Sequence, residues 1–207
     1  MGIFKLTLMF TFIFISIYKL FIIVKYINDN DKENIRCEKI HKVVISSISS
    51  FLILLIYIKM GLNSMFIIYT ITLIFLLFLG FIDYETTYVY EIITKPFLIF
   101  STLVFIFNLI SGKCGFMEFF SIVISILIVL IMEKTKCLGA GDVEVFIGLF
   151  LIFSTYYMIP MIIIMISFGI SGIGGIYLII KKRKSLDYRK PLCPSIFLAS
   201  YIIIFLI

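Results

Sequence analysis

The stretch MFIIYTITLIFLLFLGFID, residues 65–83, carries no charged side chain until its last position. A helix needs about 20 consecutive apolar residues to cross the hydrocarbon core of a bilayer. The stretch therefore reads as a membrane span with an aspartate, Asp83, at its end. Similar runs occur at about 3–24, 43–58, 92–110, 115–132, 143–157, 158–180 and 191–207. The residues from Val143 to Ile180 are too many for one helix, and Pro160 marks the turn, because proline fits the first turn of a helix. The expected fold is an all-α polytopic membrane bundle of about eight transmembrane helices.

The rest of the composition agrees. Of the 207 residues, 62% are hydrophobic and 14% charged, whereas a soluble domain carries about a quarter charged residues. The net charge of +6 then speaks of membrane orientation rather than of nucleic acid, since Lys and Arg collect in cytoplasmic loops. With the N-terminus outside, alternating loops place most Lys and Arg on the inner side, including the loop 25–42, Lys95, Lys134, Lys136 and the run KKRK at 181–184. That run is expected to contact anionic lipid. The same alternation puts Asp83 on the cytoplasmic side together with a second acid, Asp142.

Asp142 lies in CLGAGDVEVF, residues 137–146, behind Gly139 and Gly141. Ionisable residues at membrane depth are costly and mark functional sites. Two carboxylates facing one another in a dry site share a proton, which is what aspartyl peptide hydrolysis requires: one takes a proton from water while the other polarises the carbonyl. Glycine permits a close backbone approach and positive φ, which is the expectation for Gly139 and Gly141. The plainer readings are that Asp142 caps a helix beginning at Val143 and that Asp83 and Glu85 are interfacial charges.

Other features carry less. Cys37, Cys114, Cys137 and Cys193 form no C-x-x-C pair, so they are read as unpaired thiols without a zinc ribbon or disulfide framework. His41, the one histidine, sits among charges and is read as a solvated loop residue. The N-terminal run lacks a small-residue cleavage site and is read as a retained span. In ISFGISGIGGIYL, the small residues Ser167, Ser171 and Gly175 recur every four positions, a spacing that lets membrane helices pack closely.

With these residues in view, the chain resembles the type IV prepilin peptidases, membrane aspartyl proteases with a GxGD motif. GAGD at 139–142 matches that motif, FIDYETTYVYEIITKP at 81–96 resembles the segment of the first aspartate, and KPLCPSIFLASY at 190–201 resembles the Pro-x-x-Pro segment opening the last span, here Pro191 and Pro194. The resemblance implies catalytic roles for Asp83 and Asp142 and motif-supporting roles for Gly139 and Gly141. It implies a peptidase domain over 43–207, after a first span and a short charged loop over 1–42. It implies cleavage of basic leaders from prepilin-like precursors of pilus, competence or secretion systems, at the cytoplasmic membrane and without metal or other cofactor. Glu85, Glu91 and Glu144 are the candidates for meeting a basic leader.

The chain also departs from the family. Val89, Tyr90 and Glu91 stand where an Ile-Pro-Asp triplet is frequent, and Glu144 where a lysine is frequent. The loop 25–42 has Cys37 alone in place of two C-x-x-C pairs, so N-methylation of the product is expected to be weak or absent. The rival classes are a proton-coupled transporter and a non-catalytic pilus or competence assembly protein. Against the first, both acids sit at one face rather than near the midplane.

Overall fold

A computed structural model describes residues 2–31, 38–182 and 191–207. Among them lie nine α-helices and no strand: α1 Gly2–Leu20, α2 Ile22–Asp31, α3 Lys39–Met60, α4 Ser64–Thr86, α5 Glu91–Ile110, α6 Phe116–Lys134, α7 Ala140–Ile152, α8 Ile159–Lys182 and α9 Cys193–Leu206. Residues 32–37, with Cys37, of the loop on which the methylation expectation rests lie outside the described residues, as do Arg183 and Lys184 of the basic run; the rest of that expected loop is largely helical, 25–31 in α2 and 39–42 in α3. The helices group into two compact units, Met1–Leu77 and Phe78–Ile207, whose boundary falls within α4.

Among the described residues, six segments are long and apolar enough to cross a membrane: Leu6–Ile27, Lys39–Met60, Ser64–Thr86, Glu91–Ile110, Phe116–Lys134 and Ile159–Leu178. The first runs through both α1 and α2. The remaining two expected spans correspond to α7 and α9, which are shorter. At 1.5 Å per residue the 13 residues of α7 reach about 20 Å, well short of a hydrocarbon core of about 30 Å. Large apolar side chains such as Phe12, Leu103, Phe116, Met165 and Ile173 are exposed. Lipid is the solvent that makes such a surface favourable.

In the first unit α1 packs on α3. Helix α3 buries small side chains, Ser46, Ser49 and Ser50. Ser49 and Ser50 donate their hydroxyls to the carbonyls of Ile45 and Ser46, each at 2.6 Å, so these polar groups are satisfied within the helix itself. His41 is exposed, but it lies in the first turn of α3 rather than in a loop. The helix begins before the apolar run because exposed polar residues extend it at no packing cost.

In the second unit α7 packs against α5, α6 and α8. Val143, Val145, Phe146, Leu149, Phe150 and Ile152 are all buried, as befits a helix apolar on every side. Its end comes earlier than the apolar pattern implies. Asn108 of α5 donates its side-chain amide to Ser154 Oγ at 3.0 Å, and Ser121 of α6 donates its hydroxyl to the carbonyl of Tyr157. These two bonds anchor the turn before α8, and Pro160 then takes the second position of that helix, the placement the sequence implies.

Among the described residues, a methyl group built on Gly169, Gly172 or Gly175 of α8 meets nothing within 4 Å, so these three positions are not points of close approach there.

Candidate active site

Three helix ends converge in the second unit: the last turn of α4 and the first turns of α7 and α9. Asp83 lies inside the last turn of α4, not beyond the helix, and is 4% exposed. Asp142 is the third residue of α7 and half-buried; Cys193 opens α9 and is fully buried. The Cys193 backbone N–H donates to Asp83 Oδ2 at 2.9 Å, and its thiol donates to Asp142 Oδ1 at 3.4 Å. A carboxylate oxygen of each aspartate and the sulfur all lie within 4.8 Å of one another. The N-termini of α7 and α9 add their partial positive charge beside two acids, an arrangement that offsets part of the cost of placing negative charge there.

Local sequence explains why these ends can meet. Gly80 lies three residues before Asp83, on the same face of α4. A methyl group at Gly80 would stand 3.3 Å from Cα of Pro194, so the missing side chain is what admits the backbone of α9. Gly141 does the same for α7: a Cβ there would lie 2.5 Å from Cβ of Val89. Val89 arrives by a tight exit from α4. The N–H of Thr87 donates to the carbonyl of Asp83 at 2.7 Å, Thr87 takes a positive φ of 56°, and the N–H of Tyr88 donates to Thr86 Oγ1 at 3.2 Å.

Two details of the sequence reading change. Gly139 has φ −77° and ψ 149°, and among the described residues the glycines with positive φ are Gly61 and Gly112. Gly141 thus serves close approach, whereas a Cβ at Gly139 would meet only Asp142 Oδ2 at 3.4 Å, an ordinary contact; neither uses left-handed backbone. The helix begins at Ala140 with Gly139 as its cap, so Asp142 is a first-turn residue rather than a cap before Val143. The physical reason is that Ala140 is a strong helix former and Gly141, lacking a Cβ, lets the first turn of α7 lie against Val89.

The three glutamates are not brought together. Glu85 is exposed. Glu91 pairs with Lys95 one turn along α5, with both side chains largely in solvent. Glu144 is half-buried and accepts a hydrogen bond from the hydroxyl of Thr94, which ties the start of α7 to the start of α5. Thr94 and Cys193 are the site neighbours that the sequence reading did not single out. The signal for Cys193 was present, since it lies inside the Pro191–Pro194 segment. For Thr94 there was none, because nothing local distinguishes a threonine that bonds across helices from one that bonds within its own. Cys114, Cys137 and Cys193 are free thiols.

Asp83, Asp142 and Cys193 are also spaced to share a cation. Three protein ligands match a catalytic zinc site, but such an ion would need the thiol deprotonated and would occupy both carboxylates. With the S–H donating to Asp142, the arrangement fits proton exchange between two acids.

A model of the type IV leader peptidase family matches residues 70–179, a span that contains both aspartates, Gly139, Gly141 and the three glutamates. No curated protein and no solved structure matches the chain.

Proposed function

Because the chain belongs to the type IV leader peptidase family, we propose that it is an aspartic-type endopeptidase whose catalytic pair is Asp83 and Asp142. The observation that carries this is that two aspartates from different helices meet at one residue, Cys193, with Asp83 and Cys193 buried and Asp142 half-buried. In the reaction, the ionised carboxylate takes a proton from a water molecule as its oxygen adds to the scissile carbonyl carbon. The protonated carboxyl donates to the carbonyl oxygen, giving a neutral tetrahedral diol. Collapse returns a proton to the leaving nitrogen, breaks the C–N bond and restores the shared proton.

The substrates are prepilin-like precursors, cut behind a short basic leader at the cytoplasmic face of the cytoplasmic membrane. The face follows from the distribution of Lys and Arg, and both aspartates share it because they lie at one depth. A basic leader meets Glu85 directly, and competes with Lys95 for Glu91. The product is released without efficient N-methylation, and pilus, competence or secretion assembly is the process served. The proton-coupled transporter is the weaker reading, because the pair lies at helix ends rather than at the middle of α4.

The test is co-expression with candidate precursors and N-terminal sequencing of the products. Asp83→Asn and Asp142→Asn should each lower cleavage by at least about a thousandfold, and the double variant should be scarcely worse, as for residues that act as one unit. Near-normal cleavage by either single variant would overturn the assignment.

A further inference from the structure

The geometry points to Cys193 as a positioning residue of the aspartate pair, holding Asp83 with its backbone N–H and Asp142 with its thiol. This rests on the peptidase reading above. The N–H of Cys193 reaches Asp83 Oδ2 at 2.9 Å and its S–H reaches Asp142 Oδ1 at 3.4 Å, while the neighbouring Leu192 N–H also donates to Asp83 and the thiol stands within reach of both carboxyls. The two Cys193 donors belong to one residue at the first position of α9, so their separation is set by covalent geometry. Helix α9 in turn is held against α4 by the Gly80–Pro194 approach. The spacing of the carboxylates is thereby tied to the seating of a single helix end.

The consequence for chemistry is an asymmetry. An oxygen that accepts a donor does not point a proton along the same line. Asp83 Oδ2 and Asp142 Oδ1 are thus turned toward Cys193 as acceptors, which disfavours a proton on those two oxygens. The backbone N–H groups of Leu192 and Cys193 donate to Asp83 whatever residue stands at 193, whereas the donor to Asp142 is the thiol and is specific to cysteine. Burial also fits a positioning role: the side chain is 0% exposed, which keeps it from meeting a substrate and from reacting as a nucleophile in the folded protein. Among the described residues, the titratable groups sharing this space with Asp142 are Asp83 from α4 and Cys193 from α9, with Glu144 further along its own helix.

The experiment has two arms on the full chain in detergent. In the first, a synthetic precursor with a Lys-rich leader ending in glycine, followed by an apolar helix, is cleaved by wild type, Cys193→Ala and Cys193→Ser across pH. Cys193→Ala should lose roughly three- to tenfold in kcat, the effect of one ordinary hydrogen bond, as a long S–H donor gives, with KM unchanged. Its acidic limb should move to higher pH, because the Asp142 carboxylate loses a donor that favours its charged form. Cys193→Ser keeps a donor and should fall less, with its limb nearer to wild type. An alanine variant with unchanged kcat and limb, or a serine variant no better than alanine, would overturn the inference.

The second arm does not need cleavage. In a Cys37→Ser, Cys114→Ser, Cys137→Ser background the infrared S–H stretch reports Cys193 alone. It should lie at lower frequency than in the same background with Asp142→Ala, and an identical band in the two would overturn the bridge. The two readings separate cleanly. Asp83→Asn that still cleaves would remove the peptidase assignment while the infrared shift stands, and a dead Asp83→Asn with no infrared shift would remove only the role of Cys193.

Discussion

Replacing Gly141 by alanine should damage the protein through a single contact. A Cβ at position 141 would stand 2.5 Å from Cβ and 2.9 Å from Cγ1 of Val89. Carbon atoms rest at about 3.5–4.0 Å, so one of the two must move by roughly 1 Å. Rotating Val89 about χ1 removes the Cγ1 overlap but not the Cβ overlap, because Cβ is fixed to the backbone. The shift must therefore come from the 87–90 segment or from the first turn of α7. Overpacking of this kind costs about 1–3 kcal/mol, against a gain of about 1 kcal/mol from replacing glycine by alanine in a helix. The functional loss should exceed the stability loss. Asp142 is the next residue, and a misplacement of about 1 Å at a reacting group costs on the order of a hundredfold in rate. The assay pairs precursor cleavage with thermal unfolding in detergent for Gly141→Ala, Val89→Gly, Val89→Ala and the two double variants. Val89→Gly should restore much of the activity of Gly141→Ala because it removes the opposing Cβ, while Val89→Ala keeps that atom and should restore little. A fully active Gly141→Ala, or equal rescue by Val89→Ala and Val89→Gly, would refute the reasoning.

Other expectations follow from the same structure. Gly172→Ala should leave cleavage and unfolding temperature unchanged, since nothing stands within 4 Å of a methyl there, whereas Gly148→Ala should destabilise by about 1–3 kcal/mol because its Cβ would lie 2.5 Å from the Phe97 ring; thermal unfolding compares the two. Glu144→Gln should keep most of the cleavage, because the amide oxygen still accepts from Thr94, while Glu144→Leu should lower it more. Maleimide at neutral pH should label exposed Cys137 first and Cys114 more slowly, because burial, and then the nearby Glu118 carboxylate, push the Cys114 thiol up and reduce the reactive thiolate. Cys193 should label only after denaturation, as mass spectrometry of the peptides would show. Cleavage should persist in excess EDTA, since exchange of a proton between two carboxyls needs no metal; loss of activity restored by zinc would contradict the dyad mechanism.

Composition and periodicity by themselves determine the class of this protein. Apolar runs such as residues 65–82 cannot be buried in water by a chain this short, so a helical membrane bundle was the remaining solution, and Pro160 located a turn that exists. Asp83 and Asp142 stood out for the same reason: an acid at the edge of such a run carries a desolvation cost that invites a functional explanation. What sequence could not supply was the partner of each group, because partners here come from other helices. The end of α7 is set by Asn108 and Ser121 on α5 and α6, and the space for Gly141 by Val89 beyond the end of α4. Cys193 looks like an isolated thiol in sequence, and becomes the residue between the two aspartates only when α9 docks against Gly80 of α4. Period and polarity are properties of a segment, readable one residue after another. The distance between two carboxylates is a property of how three helix ends pack, and only the tertiary structure decides it.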